Sequence, residues 1–201
     1  MKIVIFGCGG HARSILNTLL DNDRNTEIII VDKNAKDNEK IMGFVVYRDY
    51  ELEENDAYII AVGNNDARRK MHDSIKKCHY GKCVSVISCS SYMGMETHVG
   101  TGTFIAPHAY VGPQAKIGNN TIINTGSVIE HETVIGDYTH IAPHATICGR
   151  SRIGNNVFCG AGSTVIDRIS ICENVVIGAG AVVVNDILEA GTYVGVPAKK
   201  I

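Results

Sequence analysis

Near the middle of the chain one histidine stands between two glutamates, Glu130-His131-Glu132. Imidazole exchanges a proton near neutral pH, and a neighbouring carboxylate can fix its tautomer, so this run has the parts of a general base. The bland alternative is a histidine on a solvated face, although such residues seldom sit between two carboxylates. A second chemistry-bearing stretch, Gly7-Cys8-Gly9-Gly10-His11-Ala12, lies close to the amino terminus. Glycines there let the backbone approach a phosphate, and a helix opening behind them would present free N–H groups to it. Gly7, Gly9 and Ala12 fit G-x-G-x-x-A, and Asp32 follows at the spacing of a dinucleotide fingerprint. His108 and His144 are 36 residues apart, but two ligands are too few for a catalytic zinc. The cysteines number 7 and never occur as Cys-x-x-Cys, so they indicate neither a disulfide framework nor a zinc knuckle.

The element that must position His131 is a repeat. From Ile87 through Ile177 sixteen consecutive hexads each begin with an apolar residue, and the fifth position is nearly always small or β-branched. A six-residue period signals a parallel β-helix, each hexad forming one flat face. Three faces close a coil of about eighteen residues, and coils stack at roughly 4.8 Å. The first and fifth positions point inward. Glycine recurs at the second position (Gly94, Gly100, Gly112, Gly118, Gly136, Gly154, Gly160, Gly178), and a corner with unusual backbone dihedrals is the expected reason.

The glycine turn belongs to a different unit. Residues 1–86 carry 26 of the 40 charged residues and residues 87–201 only 14, which predicts two domains divided at that point. In the first, residues 2–6 predict a buried parallel strand, His11 to Leu20 a helix, residues 27–31 a second strand ending at Asp32, and residues 58–63 a third. A polar helix from Asp66 to Lys77 and a last strand at Val84-Ser85-Val86 complete a Rossmann-like α/β domain. About 86 residues are too few for both halves of a dinucleotide site, so the turn suits a single nucleotide or nucleotide-sugar; a purely structural tight turn is the other reading. With a net charge of −2 and no basic stripe, nothing points to nucleic acid. The apolar run at the amino terminus is too short for a secretory or membrane segment, so a soluble cytoplasmic protein is expected.

A glycine-turn α/β domain followed by hexads resembles the PglD/NeuD-like sugar acetyltransferases along the whole chain. The resemblance is carried by Gly7-Cys8-Gly9-Gly10-His11, by Gly63-Asn64-Asn65 with Arg68, and by Asn124-Thr125-Gly126-Ser127-Val128-Ile129-Glu130-His131-Glu132. Gly136-Asp137-Tyr138-Thr139-His140 and the closing Tyr193-Val194-Gly195-Val196-Pro197-Ala198-Lys199 extend it. It implies a left-handed parallel β-helix and a homotrimer with active sites between neighbouring solenoids. It also implies transfer of acetyl from acetyl-CoA to the amine of a UDP-linked 4-amino-4,6-dideoxyhexose, without a covalent acyl-enzyme.

By the same resemblance His131 is the general base and Glu132 orients its ring. Gly9, Gly10 and His11 would lie at phosphate and sugar, Asp32 and Lys33 near the nucleoside, and Asn64 and Asn124 on the acceptor side, Asn124 close to the reacting amine. His140, Gly149, Ala161, Ala179, Gly180 and Lys199 would serve acetyl-CoA, with the Gly149 N–H as oxyanion donor. Many relatives have two acidic residues where this chain has Asp32-Lys33, which leaves the base open. The alternatives are a GDP-perosamine N-acetyltransferase, a sialic acid O-acetyltransferase of the same layout and, more remotely, a γ-type carbonic anhydrase. In that last family a third histidine falls where this chain has Gly149, so no metal is expected.

Overall fold

The structure, a computed structural model, describes residues 2–78 and 80–201. Six strands, β1 (Lys2–Phe6), β2 (Glu27–Val31), β3 (Lys40–Ile41), β4 (Phe44–Tyr47), β5 (Ala57–Ile60) and β6 (Lys82–Cys83), form one sheet in the order β3-β4-β2-β1-β5-β6. Alternation along β1 sends Ile3 and Ile5 to one side and Val4 to the other. Helix α1 (Gly10–Asn22) covers the first side with Ala12, Ile15, Leu16 and Leu19, and α2 (Asn65–Ile75) covers the second with Met71 and Ile75. With a helix on each face, the sheet opens a crevice at the carboxyl ends of β1 and β5, where ligands of such folds bind. The β3–β4 hairpin gives no clear sequence signal. The last strand, expected at residues 84–86, falls two residues earlier as β6, with the Val84 N–H still bonded to Tyr58 O at 2.9 Å, while Val86 pairs with Phe104 and opens the solenoid.

From Val86–Ile87 onward the chain winds through three parallel sheets, one per face of a triangular prism. Face one begins with Val86–Ile87, face two with Tyr92–Met93 and face three with His98–Val99. Pairs such as Ile105 with Ile123 and Ile123 with Ile141 fix 18 residues per coil. The inward columns form a continuous apolar core, from Ile105 through Ile141 and Cys159 to Ile177 on face one. The repeat outlasts the sixteen hexads of the sequence reading. Val183 heads another, and then two residues drop out, so Ile187 bridges Ile171 and Tyr193 pairs with Ile177 at a separation of 16.

The recurrent glycines have a different cause from the one expected. Left-handed backbone falls at the fourth hexad position, mostly on other residues, including Glu132 at φ 58° and His144 at φ 56°. The second-position glycines have ordinary φ, but there the next coil approaches too closely for a side chain: a Cβ at Gly112 would lie 2.7 Å from the His131 nitrogen. Steric exclusion by the neighbouring coil, not torsional freedom, selects glycine there.

The first domain is seated on face one. Phe104, Ala106 and Ile122, outward from the prism, share one apolar core with Ala12, Ile15 and Leu16 of α1. Arg68 of α2 locks the junction. It is 1% exposed and donates to Asn120 O (2.8 Å) and Tyr138 O (2.7 Å) of the solenoid, and also to Val62 O, Gly63 O and Asn65 Oδ1. Burial lowers its pKa to about 10, so it stays a cation at neutral pH.

Candidate active site

His131 occupies the corner between faces two and three. Its Nδ1 lies 3.0 Å from Glu132 Oε2; an ionised carboxylate can only accept, so Nδ1 carries the proton and Nε2 is left bare. The left-handed φ at Glu132 swings its side chain back beside the ring that precedes it in sequence. One coil above, the ring lies against Gly149, where a Cβ would come 2.6 Å from Nε2. The Gly149 N–H makes no hydrogen bond among the described residues. A bare ring nitrogen and an unpaired donor therefore adjoin at one corner, the geometry of a base beside an oxyanion site. Asp167, which the sequence reading passed over, reaches the same spot and is held by Arg150 at 3.4 Å. The nearby Cys148 thiol is held above its usual pKa by burial and then by Glu130 and Asp167, and burial alone pushes the Cys159 thiol up to about 12. Neither favours the thiolate a nucleophile needs.

A second polar cluster lies at the domain junction on face one. His140 Nδ1 is 3.2 Å from Gly63 O, so Nδ1 donates, and Nε2 accepts from Asn124 Nδ2 at 3.1 Å. Burial and then the charge of Arg68 lower the His140 pKa to about 4. His11 meets Phe104 edge-on, with ring centroids 5.2 Å apart, and burial, then His140 and Arg68, press its pKa to about 3. Both imidazoles are thus neutral at physiological pH; His140 is hydrogen-bonded through both nitrogens, whereas His11 Nε2 is buried without a partner among the described residues.

The glycine turn divides into structural and open parts. Gly7 has φ +116°, and a Cβ there would meet Ala61 O, just beyond β5, at 2.9 Å, so the fold itself requires a glycine here. Gly9 and Gly10 face open space. Gly9 caps α1 with no side-chain hydrogen bond, and the first turn holds no acid, which leaves its N–H groups available to an anion. Asp32 accepts from the Cys8 N–H (3.1 Å) and the Asn34 N–H (2.9 Å). Burial works to raise its pKa, but these bonds, with Cys8 Sγ and Lys33, bring it below the ordinary value. Lys33 is exposed at the end of β2. Arg13, absent from the sequence reading, donates to Cys8 O and Gly9 O and puts a cation at the turn. Between the start of α2 and the coils opens a cleft of about 620 Å³, bordered by Gly63, Asn64, His140 and Phe158.

Comparison with known proteins places this layout. Residues 2–75 match the PglD N-terminal domain, and residues 96–131 and 114–149 match the bacterial transferase hexapeptide of six repeats. The chain belongs to the PglD-like hexapeptide-repeat acyltransferases. The acetyltransferase domain of PglB from Neisseria gonorrhoeae is 25% identical, with a TM-score of 0.91 over 100% of this chain and 99% of that one, and has also been solved with acetyl coenzyme A. PerB from Caulobacter crescentus, solved with CoA and GDP-perosamine, is 29% identical, with a TM-score of 0.90 over 100% and 97% of the two chains. WeeI from Acinetobacter baumannii, at 22% identity, a TM-score of 0.89 and 100% coverage of both chains, shares the fold.

In this acyltransferase the expected site residues do not converge within one chain. His131, Glu132 and Gly149 share the corner between faces two and three. Gly9, Gly10, His11, Asn64, Asn124 and His140 gather on or beside face one, across the prism. Ala161, Ala179 and Gly180 line the corner between faces one and two, exposed, and a Cβ at Gly180 would meet nothing within 4 Å. Lys199 lies in the final antiparallel pair with Val194, exposed, while Lys200 is tied to Glu189 at 3.0 Å. Among the described residues no helix is long and apolar enough to cross a membrane.

Proposed function

We propose that the protein transfers acetyl from acetyl-CoA to the amine of a nucleotide-linked 4-amino-4,6-dideoxyhexose, with His131 as general base. The observation that carries this reading is His131 itself: Nδ1 pinned to Glu132 at 3.0 Å and Nε2 bare beside the unpaired Gly149 N–H. Nε2 takes a proton from the sugar ammonium, and the free amine attacks the thioester carbonyl. The Gly149 N–H stabilises the tetrahedral oxyanion; collapse breaks the C–S bond and expels the CoA thiolate, which recovers a proton from the imidazolium, while the nitrogen, cationic once the C–N bond has formed, sheds its second proton to solvent and leaves the neutral amide. Burial makes His11 and His140 poor proton acceptors, which leaves this transfer to His131. An oligomer follows from the same reading, because His131 faces away from the face-one cluster of its own chain and a neighbouring copy must supply it; the homotrimer is what the family resemblance implies.

The nucleotide is UDP in the reading from sequence. GDP has equal support, since PerB, at 29% identity, holds GDP-perosamine. Thiol release from acetyl-CoA over UDP-linked 4-aminosugars, GDP-perosamine and free sialic acid tests the assignment. Turnover with one of the two nucleotide-linked amines is expected, and preference for free sialic acid would overturn it. His131→Ala should abolish transfer in an intact oligomer, as measured by light scattering.

A further inference from the structure

The corner that holds His131 also carries a carboxylate with no part in the proton transfer. In the third hexad position the corner column runs Met95, Pro113, His131, Gly149, Asp167, one coil apart, each coil bonded to the next through the residue that follows. Gly149 alone of these has no side chain. A Cβ there would lie 2.6 Å from His131 Nε2 and 3.2 Å from Asp167 Oδ1. The glycine thus keeps open a gap with a bare imidazole nitrogen on one side and a carboxylate oxygen on the other. One atom lodged in that gap is within hydrogen-bond reach of both.

Asp167 is loosely held. Arg150 Nη2 reaches both of its oxygens at 3.4 Å, and Arg168 Nε reaches Oδ2 at 3.6 Å, against roughly 2.7–2.9 Å for a tight charge-assisted bond. No other group among the described residues donates to it, so Oδ1 keeps room for a further donor. An ion pair this long between half-exposed side chains contributes little to folding, so stability does not account for the carboxylate. The surrounding charge points to a cation as its partner. Glu130 and Asp167 stand on either side of the Cys148 thiol and, after burial, both raise its pKa. A primary ammonium fits the gap: it has three N–H donors, and two can serve Nε2 and Oδ1 at once. A hydroxyl has one proton and cannot serve both.

We propose that Asp167 recognises the ammonium group of the acceptor, holding one N–H on Oδ1 while a second points at His131 Nε2, and so selects amines over hydroxyls. The inference rests on the function proposed above and adds Asp167 as a residue that sets specificity. His131 takes the proton on Nε2; the one on Oδ1 stays with the nitrogen. That nitrogen is cationic on arrival and again once the C–N bond has formed, so the carboxylate supports ground and transition states alike, and its loss should appear in KM. Steady-state kinetics on Asp167→Asn, Asp167→Glu and Arg150→Gln test this, with the nucleotide-linked 4-aminosugar as acceptor and its 4-hydroxyl analogue as competitive inhibitor. Asp167→Asn should raise KM for the amine about tenfold, the worth of one half-exposed charged hydrogen bond, with kcat within about threefold. KM for acetyl-CoA, the inhibition constant of the hydroxyl analogue and the melting temperature should stay as in the wild type. Asp167→Glu, which keeps the charge, should recover most of the affinity, and Arg150→Gln, which removes only the ion pair, should not raise KM for the amine. Equal weakening of amine and hydroxyl analogue, or the same loss in Arg150→Gln, would make Asp167 a structural partner of Arg150, and an unchanged KM in Asp167→Asn would leave it outside the site; each overturns the proposal. Wild-type protein that acetylates no nucleotide-linked amine would instead defeat the functional reading, so the two failures are distinguishable.

Discussion

Gly149→Ala tests the catalytic corner with one methyl group. The new Cβ would sit 2.6 Å from His131 Nε2, 2.7 Å from Cε1 and 3.2 Å from Asp167 Oδ1. Ordinary contact begins near 3.5 Å, so the ring must retreat by about 0.9 Å. His131 is 42% exposed on its side chain and can swing outward without disturbing the core. Gly149 is not among the left-handed residues, so alanine there is unstrained and should be neutral or slightly stabilising, by at most about 1 kcal/mol. Catalysis is less tolerant, because a misplacement of about 1 Å costs on the order of 10²-fold. Thiol-release assays should therefore show kcat reduced about 100-fold, with a melting temperature unchanged or raised. Adding Gly149→Ala to His131→Ala should cost nothing further, since both act through one ring. Gly112→Ala is the control, because its Cβ would strike the His131 backbone nitrogen at 2.7 Å; it should lose stability first. Near-normal turnover in Gly149→Ala would refute the placement of His131 Nε2 at the reacting centre.

Other outcomes follow from the same contacts. Arg68→Lys cannot span the acceptors held by the guanidinium, and the stranded Asn120 and Tyr138 carbonyls should lower stability by about 3 kcal/mol or more, seen as a fall in melting temperature. His11 and His140, with pKa values lowered to about 3 and about 4, bind fewer protons folded than unfolded. Their contribution to stability is thus complete above pH 6.5 and is lost as pH falls towards the folded values, and His140→Gln should flatten that part of a melting-temperature profile. Cys148→Ser should keep kcat within about threefold, because a thiol held protonated is no nucleophile; trapping of an acetylated Cys148 by mass spectrometry would contradict direct transfer. Glu132→Gln can still accept from Nδ1 but loses the charge that stabilises imidazolium, so kcat should fall about tenfold while KM holds.

The sequence by itself determined the solenoid and the kind of chemistry it carries. A six-residue period is a local covenant: each residue faces inward or outward by its place in the hexad, so Ile105 and Ile141 could be assigned to the core, and His131 to the outside, without knowing any partner. The pairing of His131 with Glu132 was equally legible because the two are neighbours in the chain. What depended on residues far apart was not legible. The second-position glycines were assigned to corner torsions because sequence shows composition, whereas the cause is a coil eighteen residues away pressing on the same atoms. Arg68 stands out in the sequence only as part of a family match with no partner attached, and Asn120 and Tyr138, over 50 residues away, make it the bolt between domains. Asp66, Asn156 and Phe158 carry no motif and meet only when α2 is laid on face one. That His131 and His140 lie on different parts of the triangle follows already from the nine residues, half a coil, between them; what tertiary structure decided is that the first domain, with His11, is seated on face one. A rigid coil fixes which face each hexad occupies, and no local pattern can reverse that.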